Sequence, residues 1–344
     1  MTPDPLYPLT FRPIYKERIW GGRRLAEMYG RQLPPDVPIG ESWEISDRPD
    51  DESVIANGAF AGRTIRWLMQ HHGRELLGDA AAAAGGRFPL LCKILDARDR
   101  LSLQVHPPAG KAAGLGGEPK TEMWYIADAD PGAELFVGLR RGITRGEFEA
   151  KVRSGAVAEC FHRIPVRTGD TMFLPSGRVH AIGAGLVIFE IQQNSDTTYR
   201  VFDWNRTGLD GRPRELHLEQ SLASIDFDDF EPALVDAKWV ESRPMRSLVE
   251  HDLFSVIELR STGPHPLGVH FHDGQRLRVV AVVSGEVELA GAGESLTLSA
   301  GQFGLLPAAL TDASLTAGSG TRALLVSAGN GVGSHFSRTL PMGY

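Results

Sequence analysis

The chain has 344 residues, a formal charge of −7 at pH 7, 42% hydrophobic residues and 23% charged residues. A single core rarely grows beyond about 250–300 residues, so the length predicts two domains, and the composition is ordinary for a globular protein. The acidic balance argues against a nucleic-acid or polybasic membrane-surface protein, and no apolar run reaches the roughly 20 residues that span a bilayer.

From the N-terminus, Met1-Thr2-Pro3-Asp4-Pro5 shows neither a basic nor an apolar leader region, so no secretory signal is expected. Two cysteines, Cys92 and Cys160, are too few for a disulfide scaffold, and the expected location is the cytoplasm. Ile65, Leu68, Met69, His72 and Leu76 recur at helical spacing and predict a helix ending near Gly78, with His71 and His72 facing solvent. Residues 80–84 either extend that helix or link it onward. Strands are expected at 92–95, 101–106 and 123–127. A second helix is expected from Thr144, where Thr144 and Glu147 have capping-box spacing. Strands at 171–174, 186–192 and 199–202 follow, then a helix from about 215 to 224 and a later strand at 277–283. Short strands without regularly interleaved helices predict a mainly β protein, a sandwich or barrel with helical insertions in its N-terminal half.

An internal repeat supports a duplication. The run from Gly169 through Pro175 to His180 recurs in weaker form from Gly301 through Pro307 to Asp312, each with a glycine, five residues and a proline. Two copies of one β-domain are expected, with boundaries at 1–242 and 243–344.

Candidate chemistry concentrates in the first copy. In Leu101-Ser102-Leu103-Gln104-Val105-His106, strand alternation puts Ser102, Gln104 and His106 on one face. Pro107-Pro108 stops the strand directly after the imidazole. Glu122 and Trp124 share a face of the next strand, His180 follows the Pro175-Ser176-Gly177 turn, and Glu190 and Gln192 share a face at 186–192. Two imidazoles, a carboxylate and a nearby amide suit a borderline divalent metal with an open coordination position.

Gly169, Pro175, Gly177 and His180 resemble the second motif of the cupins in order and spacing, although Ala184 replaces the asparagine that often follows. Gln104-x-His106 stands where simple cupins have His-x-His. Those features, with Trp20-Gly21-Gly22, Gly40-Glu41-Ser42-Trp43-Glu44-Ile45-Ser46, Lys120-Thr121-Glu122-Met123-Trp124 and Asn194-Ser195-Asp196-Thr197-Thr198-Tyr199-Arg200, resemble the type I mannose-6-phosphate isomerases, in particular their short bacterial branch. The resemblance implies two cupin-like jelly-roll barrels. It implies one Zn2+ per chain on Gln104, His106, Glu122 and His180, with Gln104 either a direct ligand or an orienting neighbour. It further implies Arg200 as the active-site arginine, with Lys93, Lys120 and Glu190 in the same pocket.

The implied reaction interconverts mannose 6-phosphate and fructose 6-phosphate through an enediol or enediolate. A substrate with roughly two negative charges needs local cations in an acidic protein, and Lys93, Lys120 and Arg200 can supply them, with Ser102 as a further substrate contact. Glu190 is the chosen acid/base; Lys120 or a metal-bound water could also move the proton. On the structural alternative, Lys93 and Glu190 form an internal ion pair, Arg200 pairs with Asp196 or Asp203, and Trp20, Trp43 and Trp124 belong to the core. In the second copy His270-x-His272 resembles a first motif, but Arg276 stands near the expected carboxylate and Asp312 replaces the last histidine, so this copy is expected to have lost its metal set. Competing functions are a metal-dependent cupin oxygenase and a non-catalytic sugar-phosphate-binding cupin. The expected partner is a small sugar phosphate, with no nucleic acid and no membrane, and the protein is expected to be a monomer or homodimer.

Overall fold

The computed structural model describes residues 5–240, 243–272 and 274–329; most of the leader segment and the expected domain boundary at 242/243 fall on residues outside these ranges. The protein is mainly β, as the spacing of short apolar runs predicts, and its strands form two pairs of facing antiparallel sheets.

In the first pair, a six-stranded sheet runs Thr171–Leu174, Glu122–Ala129, Leu186–Gln193, Leu90–Ala97, Ile14–Gly22, Ile39–Ile45. It faces a five-stranded sheet ordered Phe161–Pro165, Glu134–Leu139, His180–Ile182, Leu103–Val105, Tyr199–Phe202. In the second pair, the six-stranded sheet runs Leu9–Thr10, Phe303–Leu306, Arg278–Ser284, Arg322–Ala328, Phe254–Arg260, Met245–Glu250, and its partner holds Leu267–Phe271, Ala313–Ala317, Glu286–Gly291 and Glu294–Ser299. Four strands in each of these sheets lie side by side as third, second, fourth, first in chain order. The repeated motif falls on equivalent places: Gly169 (φ +91°) and Gly301 (φ +79°) make the left-handed turn before the third strand of each large sheet.

The central strands of the first large sheet are buried on both faces. Cys92, Ile94, Met123, Tyr125, Val187, Phe189 and Ile191 point away from the facing sheet and pack against Val279, Ala281, Phe303 and Val326 of the second pair. Phe189 stacks on Phe303 with ring centroids 5.6 Å apart. Polar contacts also cross the junction: the Tyr125 hydroxyl donates to Glu258 at 2.8 Å, while Arg246 donates to the other Glu258 oxygen at 2.7 Å and to the Gly169 carbonyl at 3.1 Å. The alternate residues face inward and carry the polar groups of the site.

Helical expectations hold in type and shift at ends. Thr64 caps Ile65–Leu77 by accepting from the Trp67 amide, and Thr144 caps Arg145–Ser154 by accepting from the Glu147 amide. His72 departs from its expected solvent-facing position. It is buried, lying 5.4 Å from the Phe60 ring at a kink in the helix, while His71 stays exposed. The third helix begins at Leu218 rather than 215, because His217 is tied by its amide and its ring Nδ1 to both backbone groups of Arg200. The strand expected at 101–106 contracts to Leu103–Val105, since the Leu101 amide donates to Ile182 and Pro107 ends the ladder. His270 and His272 stack 5.9 Å apart on the exposed side of their strand, away from the apolar space filled by Val269 and Phe271. Among the described residues, no helix is long and apolar enough to cross a membrane.

Close approach explains Trp20-Gly21-Gly22. A Cβ on Gly21 would lie 2.4 Å from the Gly40 nitrogen, backbone against backbone, so Gly21→Ala is expected to destabilise the protein by about 2–3 kcal/mol. Urea unfolding midpoints of the two proteins check this.

Candidate active site

Two cross-strand rows build the site. In the six-stranded sheet, Trp43 pairs with Lys93, Lys93 with Glu190, and Glu190 with Trp124, placing four functional side chains side by side on one face. In the facing sheet His180 pairs with Gln104 and Gln104 with Arg200. Strand pleating keeps registered partners on the same face, so each row presents its side chains to the space between the sheets.

At one end lie His106, Glu122 and His180, all buried, their donor atoms within 4.8 Å of one another. His106 Nε2 is 3.5 Å from Glu122 Oε2, and His180 Nε2 is 3.4 Å from Glu122 Oε1. Each imidazole donates its Nδ1–H to a backbone carbonyl, Thr197 at 2.8 Å and Arg178 at 2.9 Å, which leaves the Nε2 lone pair aimed inward. Burial, then the charge of Lys120, pushes the His106 pKa down to about 4, and burial also lowers that of His180. Burial alone would push the Glu122 carboxyl up. Lys120, 2.9 Å away, outweighs it and holds Glu122 well below the usual carboxylate range.

The result is two neutral imidazole lone pairs facing a buried carboxylate, with His106 Nε2 and Glu122 Oε1 lacking any hydrogen-bond partner. Converging acceptors repel one another unless a cation sits between them. Tetrahedral zinc, with bonds of about 2.0–2.1 Å, sets its donors roughly 3.3 Å apart, close to the separations here. The residues therefore fit such an ion. Gln104 brings its amide to 3.3 Å from His180 Nε2 and receives a hydrogen bond from the Ser102 hydroxyl at 3.3 Å.

A cavity of about 560 Å³ opens beside this cluster, walled by Trp20, Leu95, Leu101, Trp124 and Ile182 and reaching the cluster at Gln104 and Lys120. Lys93 lies 3.2 Å from Glu190 and 3.5 Å from Glu41, above the Trp43 ring. Burial would lower the Lys93 pKa, but Glu190 and Glu41 raise it, so the ammonium persists. Burial opposes ionisation of Glu41 too, yet Lys93 and Arg18 pull its pKa down to about 2. Glu190 also accepts from the Trp124 indole at 3.0 Å.

Arg200 is different. It donates to the Glu215 carbonyl at 2.7 Å, its buried Nε has no partner, and among the described residues no carboxylate lies within ion-pair distance of it. Asp203, offered above as its structural partner, is taken by Arg206 and Arg214, and Asp196 is exposed at the cavity rim.

The structure thus brings Ser102, Gln104, His106, Glu122, His180, Lys93, Lys120, Glu190 and Arg200 around one cavity and its floor. Sequence reasoning missed Glu41, Arg18 and Arg214 as wall residues. Glu41 was detectable, because it alternates with Trp43 in a polar-apolar run; nothing local marks Arg18 or Arg214. Trp124 and Trp20, assigned to the core, are buried but also wall the cavity.

A family model described as phosphomannose isomerase type I, catalytic domain, matches residues 9–141. The chain is 37% identical over 310 residues to mannose-6-phosphate isomerase ManA of Bacillus subtilis, covering 89% of this chain and 94% of that protein. The crystal structure of the mannose 6-phosphate isomerase from Bacillus subtilis superposes with a TM-score of 0.82 at 31% identity, over 93% of this chain and 99% of the other. A zinc-bound mannose 6-phosphate isomerase shares the fold at 18% identity, with a TM-score of 0.72 over 94% and 99% of the two chains.

The depressed His106 pKa carries a stability consequence for the metal-free protein. The unfolded imidazole titrates near 6.5 and the folded one near 4, so stability is fully present above pH 6.5 and falls as the pH drops towards 4. The expected loss is about 3 kcal/mol. Urea midpoints at pH 7 and pH 4 should show His106→Gln losing about that much less over the same interval.

Proposed function

The chain belongs to the type I phosphomannose isomerase family, and from that premise we propose that it interconverts mannose 6-phosphate and fructose 6-phosphate with the aid of one zinc ion. The observation that carries this reading is the row His180–Gln104–Arg200, in which Arg200, without an ion-pair partner among the described residues, lines an open cavity two strands from His180. Adjacent strands lie about 4.8 Å apart, so two steps span roughly 10 Å, the reach of a six-carbon sugar phosphate.

His106, Glu122 and His180 would hold the zinc, and Gln104 would be its fourth donor once its amide is turned to present Oε1. When bound, zinc polarises the sugar oxygens at C1 and C2 as a Lewis acid. Arg200 holds the phosphate, because its charge is not already shared with a carboxylate. Lys93 is shared between Glu41 and Glu190, so it sets the local field more than it grips substrate. Lys120 keeps Glu122 ionised and faces the reacting end, with Ser102 beside it.

Glu190 is assigned the proton transfer. From mannose 6-phosphate it takes the C2 proton and returns it at C1, while the hydroxyl proton passes from O2 to O1; no other reagent is needed. Its carboxylate is aimed by the Trp124 indole and Lys93, and the aromatic and aliphatic walls exclude water from the enediolate. We further assign the chemistry to residues 1–242 and read 243–344 as a degenerate cupin-like copy, a division supported by the shared strand order; Leu9–Thr10 nevertheless joins the second copy's sheet. Two free buried thiols fit a cytoplasmic setting.

A coupled isomerase assay tests the reading. Chelation should abolish turnover and added zinc restore it. Arg200→Ala should lower kcat/KM by a hundredfold or more with zinc content intact, whereas His180→Ala should lower both. Iron with oxygen consumption would favour the oxygenase, and binding of fructose 6-phosphate without turnover would favour the sensor.

A further inference from the structure

We propose that the Arg178–Asp229 ion pair is a positioning device for His180, fixing the carbonyl that selects the tautomer of this imidazole; the inference rests on the metal-site reading above. Arg178 is bound at both ends of the residue. Its guanidinium donates through Nε and Nη2 to the two Asp229 oxygens, each at 2.8 Å, and through Nη1 to the Phe173 carbonyl at 2.8 Å. Its own carbonyl accepts the Nδ1–H of His180 at 2.9 Å. A neutral imidazole carries one N–H, so holding it on Nδ1 leaves the Nε2 lone pair directed at the space before Glu122.

The clamp spans the turn that delivers His180. Phe173 lies in the strand before Pro175, and Arg178 in the two-residue approach after Gly177, so the Nη1 bond closes the turn on itself. Asp229 comes from a segment 51 residues away that is itself anchored: the Leu139 amide donates to the Asp229 carbonyl, and the Asp226 amide to Gly177. The pair is mostly buried, with side-chain exposures of 17% and 15%, and neither residue walls the cavity. Its effect on the site must therefore pass through His180. His106 is oriented by a different device, the Thr197 carbonyl, in a loop held by Ser195 and by the Glu118 amide. The two metal-ligand histidines thus have separate supports, and only that of His180 depends on a side-chain ion pair.

Outer partners of metal-bound histidines typically change metal affinity by about 10–100-fold when removed. The test uses the full-length protein with Asp229→Asn, which is nearly isosteric, and Arg178→Met. Zinc dissociation constants come from competition with a chromogenic chelator, thermal unfolding is followed on the zinc-free forms, and the His180 tautomer is read by 15N NMR of histidine-labelled, zinc-free protein. We expect each variant to bind zinc at least tenfold more weakly, the double variant to be no weaker than the worse single one, and His180 to lose its exclusive Nδ1–H form. Zinc binding within twofold of the parent, with only the unfolding temperature lowered, overturns the proposal, as does an unchanged tautomer. Should Arg178→Met fail to fold, Asp229→Asn carries the test. A parent protein that binds no zinc, but whose His180 tautomer shifts in Asp229→Asn, defeats the metal reading and leaves the clamp standing.

Discussion

The central strands of the first large sheet have no solvent face, and most of the site follows from that constraint. One side is sealed by the second pair of sheets, the other by the partner sheet, so Lys93, Asp96, Glu122 and Glu190 on Leu90–Ala97, Glu122–Ala129 and Leu186–Gln193 lie in the interior. Isolated charges are too costly there and must be compensated within a few ångströms. Arg18–Glu41–Lys93–Glu190 satisfies this by alternation of sign along neighbouring strands. Glu122 does so in part through Lys120, and in part leaves acceptors facing acceptors, the local imbalance that calls for a cation. The metal centre and the ion-pair wall are two solutions to one electrostatic requirement.

Arg200 departs from the pattern, since its strand belongs to the opposite sheet near the mouth of the cavity. Partial access to water lets it stay unpaired, and its neighbours Arg206 and Arg214 are neutralised through Asp99 and Asp203. Among the described residues lining the cavity, Arg18, Lys93, Lys120 and Arg214 are each paired with a carboxylate, and Arg200 is the cation left without one. Field at the site is set by which cations lack a carboxylate, not by how many line the wall.

Much of this was legible in the sequence, and the reasons are local. Alternation along 101–106 and 186–192 predicted which side chains share a face, because the period of a strand is a backbone property. His106, Glu122 and His180 carried spacing signals, and the structure sets them within one cluster. Thr144 announced its helix, since a cap acts over three residues. What the sequence hid depends on contacts between segments whose approach only the fold decides: Glu41 against Lys93, Arg214 against Asp203, Asp229 against Arg178. The burial of His72 was equally hidden, because it arises from a kink that turns the ring under Phe60. The Lys93–Glu190 ion pair and a functional reading of both residues, posed as alternatives, prove compatible: the pair exists and walls the cavity.

The Leu9–Thr10 strand pairs with Phe303–Leu306, with Leu9 opposite Leu305. Thr10 and Phe303 lie 293 residues apart, so the strand closes a very long loop. During synthesis Leu9–Thr10 must wait for Phe303–Leu306 before it can pair. Folding of the first half thus ends only when the second half can receive its opening strand. The second pair of sheets acts as a latch on Leu9–Thr10.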